Sequence, residues 1–257
     1  KMPTTEADIP RPNIVLALLE SRAFFEAGAS VISKPIFNSF PHGDGHPVMV
    51  LPGFATGDLA TRSLRRFIQD RGYHVYPWRN GLNFGNTREL RDKLHTQIAE
   101  IVNRHGRAIS LVGWSLGGII SRQLAFRHPE RIRTVITLGS PFHGDPSNTN
   151  IRVLLNLAKR ITGQAPLGKT KPATKPRVEP VIPVPFSSIY SKTDGVVAWQ
   201  ACLEREAPLR ENIEVPCSHT GFGFNPLVRY LIAERLAQPA GQWQPFRKEG
   251  LRKLVYR

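Results

Sequence analysis

The chain has few cysteines, few acids and no long apolar run. Two cysteines in 257 residues exclude a disulfide-stapled mini-protein and any zinc site built from four thiolates. No apolar stretch approaches the roughly 18 residues that a membrane-spanning helix needs, so no helical span is expected. The opening residues Lys1 to Glu6 lack the apolar centre of a signal peptide, although a trimmed chain would look the same. There is no internal repeat. Acids number 20 against 35 Lys and Arg, which leaves a formal net charge of +15. What is present is a hydrophobic fraction of 40%, enough for a sizeable core in one large domain or two small ones.

The positive charge is unevenly placed. Lys159 to Arg177 holds six basic residues and no acid, and Phe246 to Arg257 holds five basic residues against Glu249 alone. The first stretch reads as a solvated loop. The second belongs to a basic C-terminal tail, 241–257, expected to be solvated and frayed. Such charge can draw an anionic membrane surface or polymer by long-range attraction. No aromatic residue interleaves with the bases between Lys159 and Arg177, so a stacking platform for single strands is absent there and nucleic acid is not an expected partner.

Hydrophobic patterning alternates between strand and helix. Arg11 to Gly28 reads as an amphipathic helix with Ile14, Leu18 and Phe25 on its apolar stripe. The short apolar run Pro47 to Leu51 and the segment Ile109 to Val112 read as buried strands, and Tyr73 to Trp78, Ile132 to Leu138, Phe186 to Tyr190 and Asn212 to Val215 as further strands. Between them lie helical stretches at Asp58 to Arg71, at Ser115 to His128 and from a cap at Asn86 or Thr87 to His105. Asn225 to Ala237 is the last. This order predicts an α/β fold with a mostly parallel sheet and helices on both faces. Residues 145–185 are read as an insertion within one domain spanning 1–257, because strands resume after it.

The sharpest local signal is Gly113-Trp114-Ser115-Leu116-Gly117-Gly118. A strand precedes it and a helix follows. A tight strand-to-helix turn lifts a serine oxygen above the carboxyl end of the strand, and glycines on either side let the backbone pass closely. A nucleophilic serine needs a base, and the base needs an orienting acid. His128, His143 and His219 are the histidines after Ser115. His128 reads as a helix cap and His143 as a pocket residue, which leaves His219, after the last strand, as the base. Asp194, after the strand Phe186 to Tyr190, is the expected acid, with Asp145 as the alternative. The oxyanion hole is expected from the backbone N–H groups of Leu116 and of Phe54, in the loop Leu51-Pro52-Gly53-Phe54.

These segments, with Leu138-Gly139-Ser140-Pro141-Phe142-His143-Gly144, resemble the α/β-hydrolase superfamily, and within it the chain is similar to bacterial lipases and carboxylesterases. The resemblance covers roughly Pro47 to Ala237. Family members often carry His-Gly where this chain has Pro52-Gly53. The resemblance implies ester hydrolysis through an acyl-enzyme on a small-molecule or lipid ester, with no metal or cofactor.

Two further expectations concern the neighbourhood of the site. Cys202 and Cys217 are expected to form a disulfide joining the acid loop to the base loop. Closing a loop of about 15 residues would stabilise by roughly 3 kcal/mol. That bond would point to secretion or the periplasm, and its absence to the cytoplasm. Ile151, Leu154, Leu155, Ala158 and Ile161 share a helix face, which suits a small lid. Leu154, Leu155, Trp114 and His143 are then candidate pocket residues. The competing readings are a non-catalytic module that binds polyanions or membranes, and a cofactor-free perhydrolase.

Overall fold

The computed structural model describes residues 9, 12–85, 87–142 and 182–256. Among them, six strands form one sheet: β1 (Pro47–Leu51), β2 (His74–Tyr76), β3 (Ile109–Trp114), β4 (Ile132–Leu138), β5 (Phe186–Tyr190) and β6 (Arg210–Glu214). Their spatial order is β2-β1-β3-β4-β5-β6, and every pairing is parallel. Three helices, α1 (Ile14–Leu18), α2 (Ala23–Ile32) and α3 (Lys34–Phe37), precede the sheet. Helices α4 (Asp58–Asp70), α5 (Arg88–His105) and α6 (Leu116–Arg127) cross between strands, and α7 (Pro226–Leu236) follows the last strand.

The period-two alternation of strand side chains divides the core into two layers. Val48, Val50, Val112 and Ile136 pack with Leu64 and Phe67 of α4 and with Leu231 and Ile232 of α7. Met49, Leu51, Ile109 and Leu111 pack on the other face with Leu94 and Ile98 of α5 and Ile120 of α6. Because both faces are covered, β1 and β3 are buried along their whole length. That is why they read as continuous apolar runs rather than as alternating ones. Helix ends follow local chemistry. The Thr87 hydroxyl accepts from the Leu90 N–H at 3.1 Å to start α5, and Gly106, with φ +60°, ends it.

The amino-terminal segment departs from expectation. The helix starts after Asn13, whose side chain caps it, is interrupted by a 3-10 turn at Leu19–Arg22, and runs on through Gly28 to Ile32. Its polarity is inverted relative to the expected stripe. Phe24, Phe25 and Ile32 are more than four-fifths exposed, while Glu20 and Glu26 accept hydrogen bonds from the protein. The surface beneath offers loop N–H groups that lack strand partners. Those groups take carboxylates rather than rings.

The basic tail is not frayed. Phe246 and Tyr256 are buried in the α4/α7 layer, and the Tyr256 hydroxyl donates to the Leu227 carbonyl at 3.1 Å. The guanidinium groups of Arg235 and Arg252 lie 5.5 and 5.8 Å from the centre of the Phe246 ring, so part of the tail's charge is seated on aromatic faces.

The disulfide expectation is overturned: Cys202 and Cys217 are both free and buried. They lie in different clusters. Cys202 packs with Tyr190 and Val197, with its thiol 3.8 Å from the Ala198 carbonyl of its own turn. Cys217 belongs to the α4/α7 layer, with its thiol 3.0 Å from the Ser218 carbonyl. Burial, first of all, pushes both thiols well above the usual range, which leaves them unreactive. The compartment argument rested on the bond and falls with it. Thiol titration of the unreduced, denatured protein is expected to find two thiols per chain, and reductant is expected to leave the melting temperature unchanged. A titre near zero would restore the bond.

His143, Asp145, the expected lid helix with Leu154 and Leu155, and the basic loop Lys159 to Arg177 lie outside the described residues.

Candidate active site

The turn at Ser115 is built by close packing. Ser115 sits between β3 and α6 with φ +52° and ψ −119°, a backbone conformation that side-chain-bearing residues rarely adopt. Two hydrogen bonds fix it: its N–H donates to the Leu138 carbonyl at 2.8 Å, and its carbonyl accepts from Gly118 at 2.9 Å. Gly117 permits α6 to start this close to β1, since a Cβ there would overlap the Leu51 and Pro52 carbonyls.

The loop after β1 lies against this turn. A Cβ on Gly53 would sit 3.5 Å from that of Ser115. Asn83, fully buried, braces the loop: its side chain donates to the Pro52 carbonyl at 2.8 Å, and its backbone bonds Ala55 at 2.8 Å and Thr56 at 2.9 Å. This is the support that stands beside Pro52-Gly53. Nothing near Asn83 in the sequence marks it, because its partners lie some thirty residues away. Among the described residues, the N–H groups of Phe54 and Leu116 donate to no other backbone group.

Asp194 follows β5 and His219 follows β6, and the two meet. The His219 Nδ1 lies 2.7 Å from Asp194 Oδ2. The other oxygen, Oδ1, accepts from the N–H groups of Val196 and Val197, each at 2.8 Å. The carboxylate is therefore fixed on both oxygens. Burial pulls the His219 pKa down, but the charge and hydrogen bond of Asp194, with the charge of Glu20, outweigh it and the net shift is upward. Ser115 makes no hydrogen bond to His219 among the described residues. His219 is linked to β3 instead through Trp114, whose indole N–H donates to the His219 carbonyl at 3.1 Å. Trp114 is buried in the α4/α7 layer, so it ties the His219 loop to the core.

A family pattern described as the alpha/beta hydrolase fold matches residues 46–174. The chain belongs to the alpha/beta hydrolase fold family. Curated relatives of this α/β-hydrolase match over short stretches. The pimeloyl-[acyl-carrier protein] methyl ester esterase of Shewanella woodyi is 24% identical over 98 residues, 38% of this chain and 37% of that protein. The biotin biosynthesis bifunctional protein BioHC of Teredinibacter turnerae is 36% identical over 84 residues, 32% of this chain and 13% of that protein. The matches thus span 37% of the first relative's length and 13% of the second's. Among solved structures, Aspergillus fumigatus lipase B superposes with a TM-score of 0.55 at 17% identity, covering 79% of this chain and 56% of the lipase. At that identity the likeness is one of fold.

Sequence reasoning missed three further residues at this site. Glu20, Arg22 and Glu26 reach the loops that carry Asp194 and His219 from the amino-terminal segment. In the sequence they are merely the polar side of a helix.

A hydrogen-bonded Ser-His-Asp chain lies at the amino ends of β1 and β3. His46 Nδ1 is 2.5 Å from Asp44 Oδ1, and His46 Nε2 is 2.7 Å from Ser110 Oγ. Ser110 and His46 are fully buried, and Asp44 is also bound by Arg107 and Arg133. Here the same three residue types pin the strands together inside the core.

Proposed function

We propose that the protein is a serine carboxylic-ester hydrolase. The observation that carries this reading is the Asp194-fixed His219 imidazole, with a raised pKa, on the same strand ends as a serine held at positive φ. In this reading the Ser115 oxygen bonds to the ester carbonyl carbon while His219 Nε2 takes the hydroxyl proton. The N–H groups of Phe54 and Leu116 bind the oxyanion. The carbon–oxygen bond to the alcohol then breaks, and His219 returns the proton to the leaving oxygen. Water repeats the sequence in reverse to release the acid, and where water is excluded an alcohol takes the acyl group instead. Asp194 holds the imidazole in the tautomer that keeps Nε2 free to accept. The esterase name of the Shewanella woodyi relative supports the substrate class.

The test is turnover of p-nitrophenyl esters from acetate to palmitate, beside labelling by a fluorophosphonate. Hydrolysis with a clear chain-length optimum is expected, together with one covalent adduct on the peptide that carries Ser115. Failure of both would remove the reading.

A further inference from the structure

The amino-terminal segment precedes the region matched by the family pattern, yet its polar side chains bind both loops that carry the acid and the base. Glu20 Oε1 accepts from the Gly195 N–H, next to Asp194, and from the His219 N–H, both at 2.9 Å. Glu20 Oε2 accepts from Thr220 at 3.2 Å. Glu26 takes the Ser218 N–H on Oε1 and the Ser218 hydroxyl on Oε2, each at 2.9 Å. Arg22 closes the gap from the other side. It donates to the Thr193 carbonyl, to the Thr193 hydroxyl at 2.9 Å and to the Cys217 carbonyl at 3.0 Å, and pairs with Glu26 at 3.6 Å.

The fit is close as well as polar. A Cβ on Gly195 would overlap the Leu16 carbonyl, and one on Gly221 would overlap the Glu26 carboxylate. Apolar burial does not explain the docking, because only Ala23 and Ser30 of α2 are buried and Phe24 and Phe25 face outward. The segment is held by these charged contacts.

We propose that Glu20 is a positioning residue: its carboxylate oxygen, shared between the acid loop and the base loop, keeps Asp194 and His219 in register. The proposal rests on the hydrolase reading for its kinetic consequence. The groups facing His219 are Asp194 from the acid loop, Glu20 from the amino-terminal segment, the Trp114 indole from β3 and the Phe222 ring from its own loop. Glu26 and Arg22 stand one and two residues back along that loop. Of the charges, Asp194 and Glu20 act to keep the imidazole basic. Glu20 therefore places the base through its acceptor geometry and tunes it through its charge.

Glu20→Ala and Glu20→Gln separate these effects. Displacing a catalytic group by about 1 Å costs on the order of 10²-fold in rate, so Glu20→Ala is expected to lose kcat on that scale with KM little changed. Glu20→Gln keeps an oxygen for the shared site and loses the charge. It is expected to recover most of kcat, while the acid limb of the kcat/KM profile moves to lower pH. His219 titration followed by NMR requires no turnover and is expected to show the same downward shift in Glu20→Gln. Wild-type kcat and an unmoved acid limb in folded Glu20→Ala would overturn the proposal. If the alanine variant does not fold, an unmoved His219 titration in Glu20→Gln overturns it. If the wild-type chain neither hydrolyses esters nor labels at Ser115, the hydrolase reading fails alone, and Glu20 is judged by the titration.

Discussion

Replacing Ser115 with alanine is expected to lower kcat on esters by on the order of 10⁶-fold, the scale of removing a nucleophile from a working triad. The protein should remain folded. The bonds that fix this turn, to Leu138 and Gly118, are backbone bonds, and alanine has the same difficulty with positive φ as serine. Asp194→Asn should cost about 10⁴-fold, for a reason visible in the hydrogen bonds. Asp194 Oδ1 accepts from two N–H groups, Val196 and Val197, so an asparagine will keep its carbonyl oxygen there. Its amide nitrogen then faces His219 Nδ1 and donates to it. The imidazole proton moves to Nε2, and the nitrogen needed as base no longer accepts. Ester kinetics with circular dichroism on both variants check this. An Asp194→Asn enzyme within tenfold of wild type would mean that Asp194 does not orient the base.

The second large effect concerns acid stability. His46 is fully buried. Burial, opposed by Asp44 but assisted by Arg133 and Arg107, lowers its pKa to about 4. The unfolded imidazole titrates near 6.5. Below that pH the unfolded chain binds a proton that the folded chain refuses, so the stability present above 6.5 is lost as pH falls toward 4. A shift of this size corresponds to about 3 kcal/mol. Burial works against the ionised Asp44, but hydrogen bonds from Arg133 and His46 overcome it and hold its carboxyl well below the usual range. Its contribution, in the same direction, begins only as pH falls below the ordinary carboxylate value. The melting temperature is expected to fall steeply from pH 6.5 to pH 4, and His46→Gln, though less stable at pH 7, should show a shallower slope over that window. A wild-type melting temperature flat across it would contradict the assignment of His46 as the acid-sensitive group.

The sheet was legible because its signals are local. Pro47–Leu51 is an apolar run ended by Pro52-Gly53, and burial on both faces leaves little else for it to be. The turn at Ser115 was legible for a similar reason, since glycine spacing around a serine encodes close backbone approach. Asp194 and His219 were placed by strand order, and the structure brings them to 2.7 Å. What failed depended on partners distant in sequence. The apolar stripe through Leu18 and Phe25 suggested a core-facing helix, but the inward side was decided by Gly195 and His219. Cys202 and Cys217 are close in sequence but packed into separate clusters. The tail looked solvated by charge count, yet Phe246 and Tyr256 anchor it.

The spacing of these contacts bears on how the protein is made. Glu20 meets Gly195 and His219 across separations of 175 and 199 residues. Synthesis runs from the amino terminus, so the segment carrying Glu20 leaves the ribosome well before its partners. A nascent chain released as far as Asp194 already holds Ser115 but not His219, whose N–H Glu20 accepts. Contacts of such high order form late in folding. In the hydrolase reading, the chain is therefore chemically silent until the residues after β6 have been made.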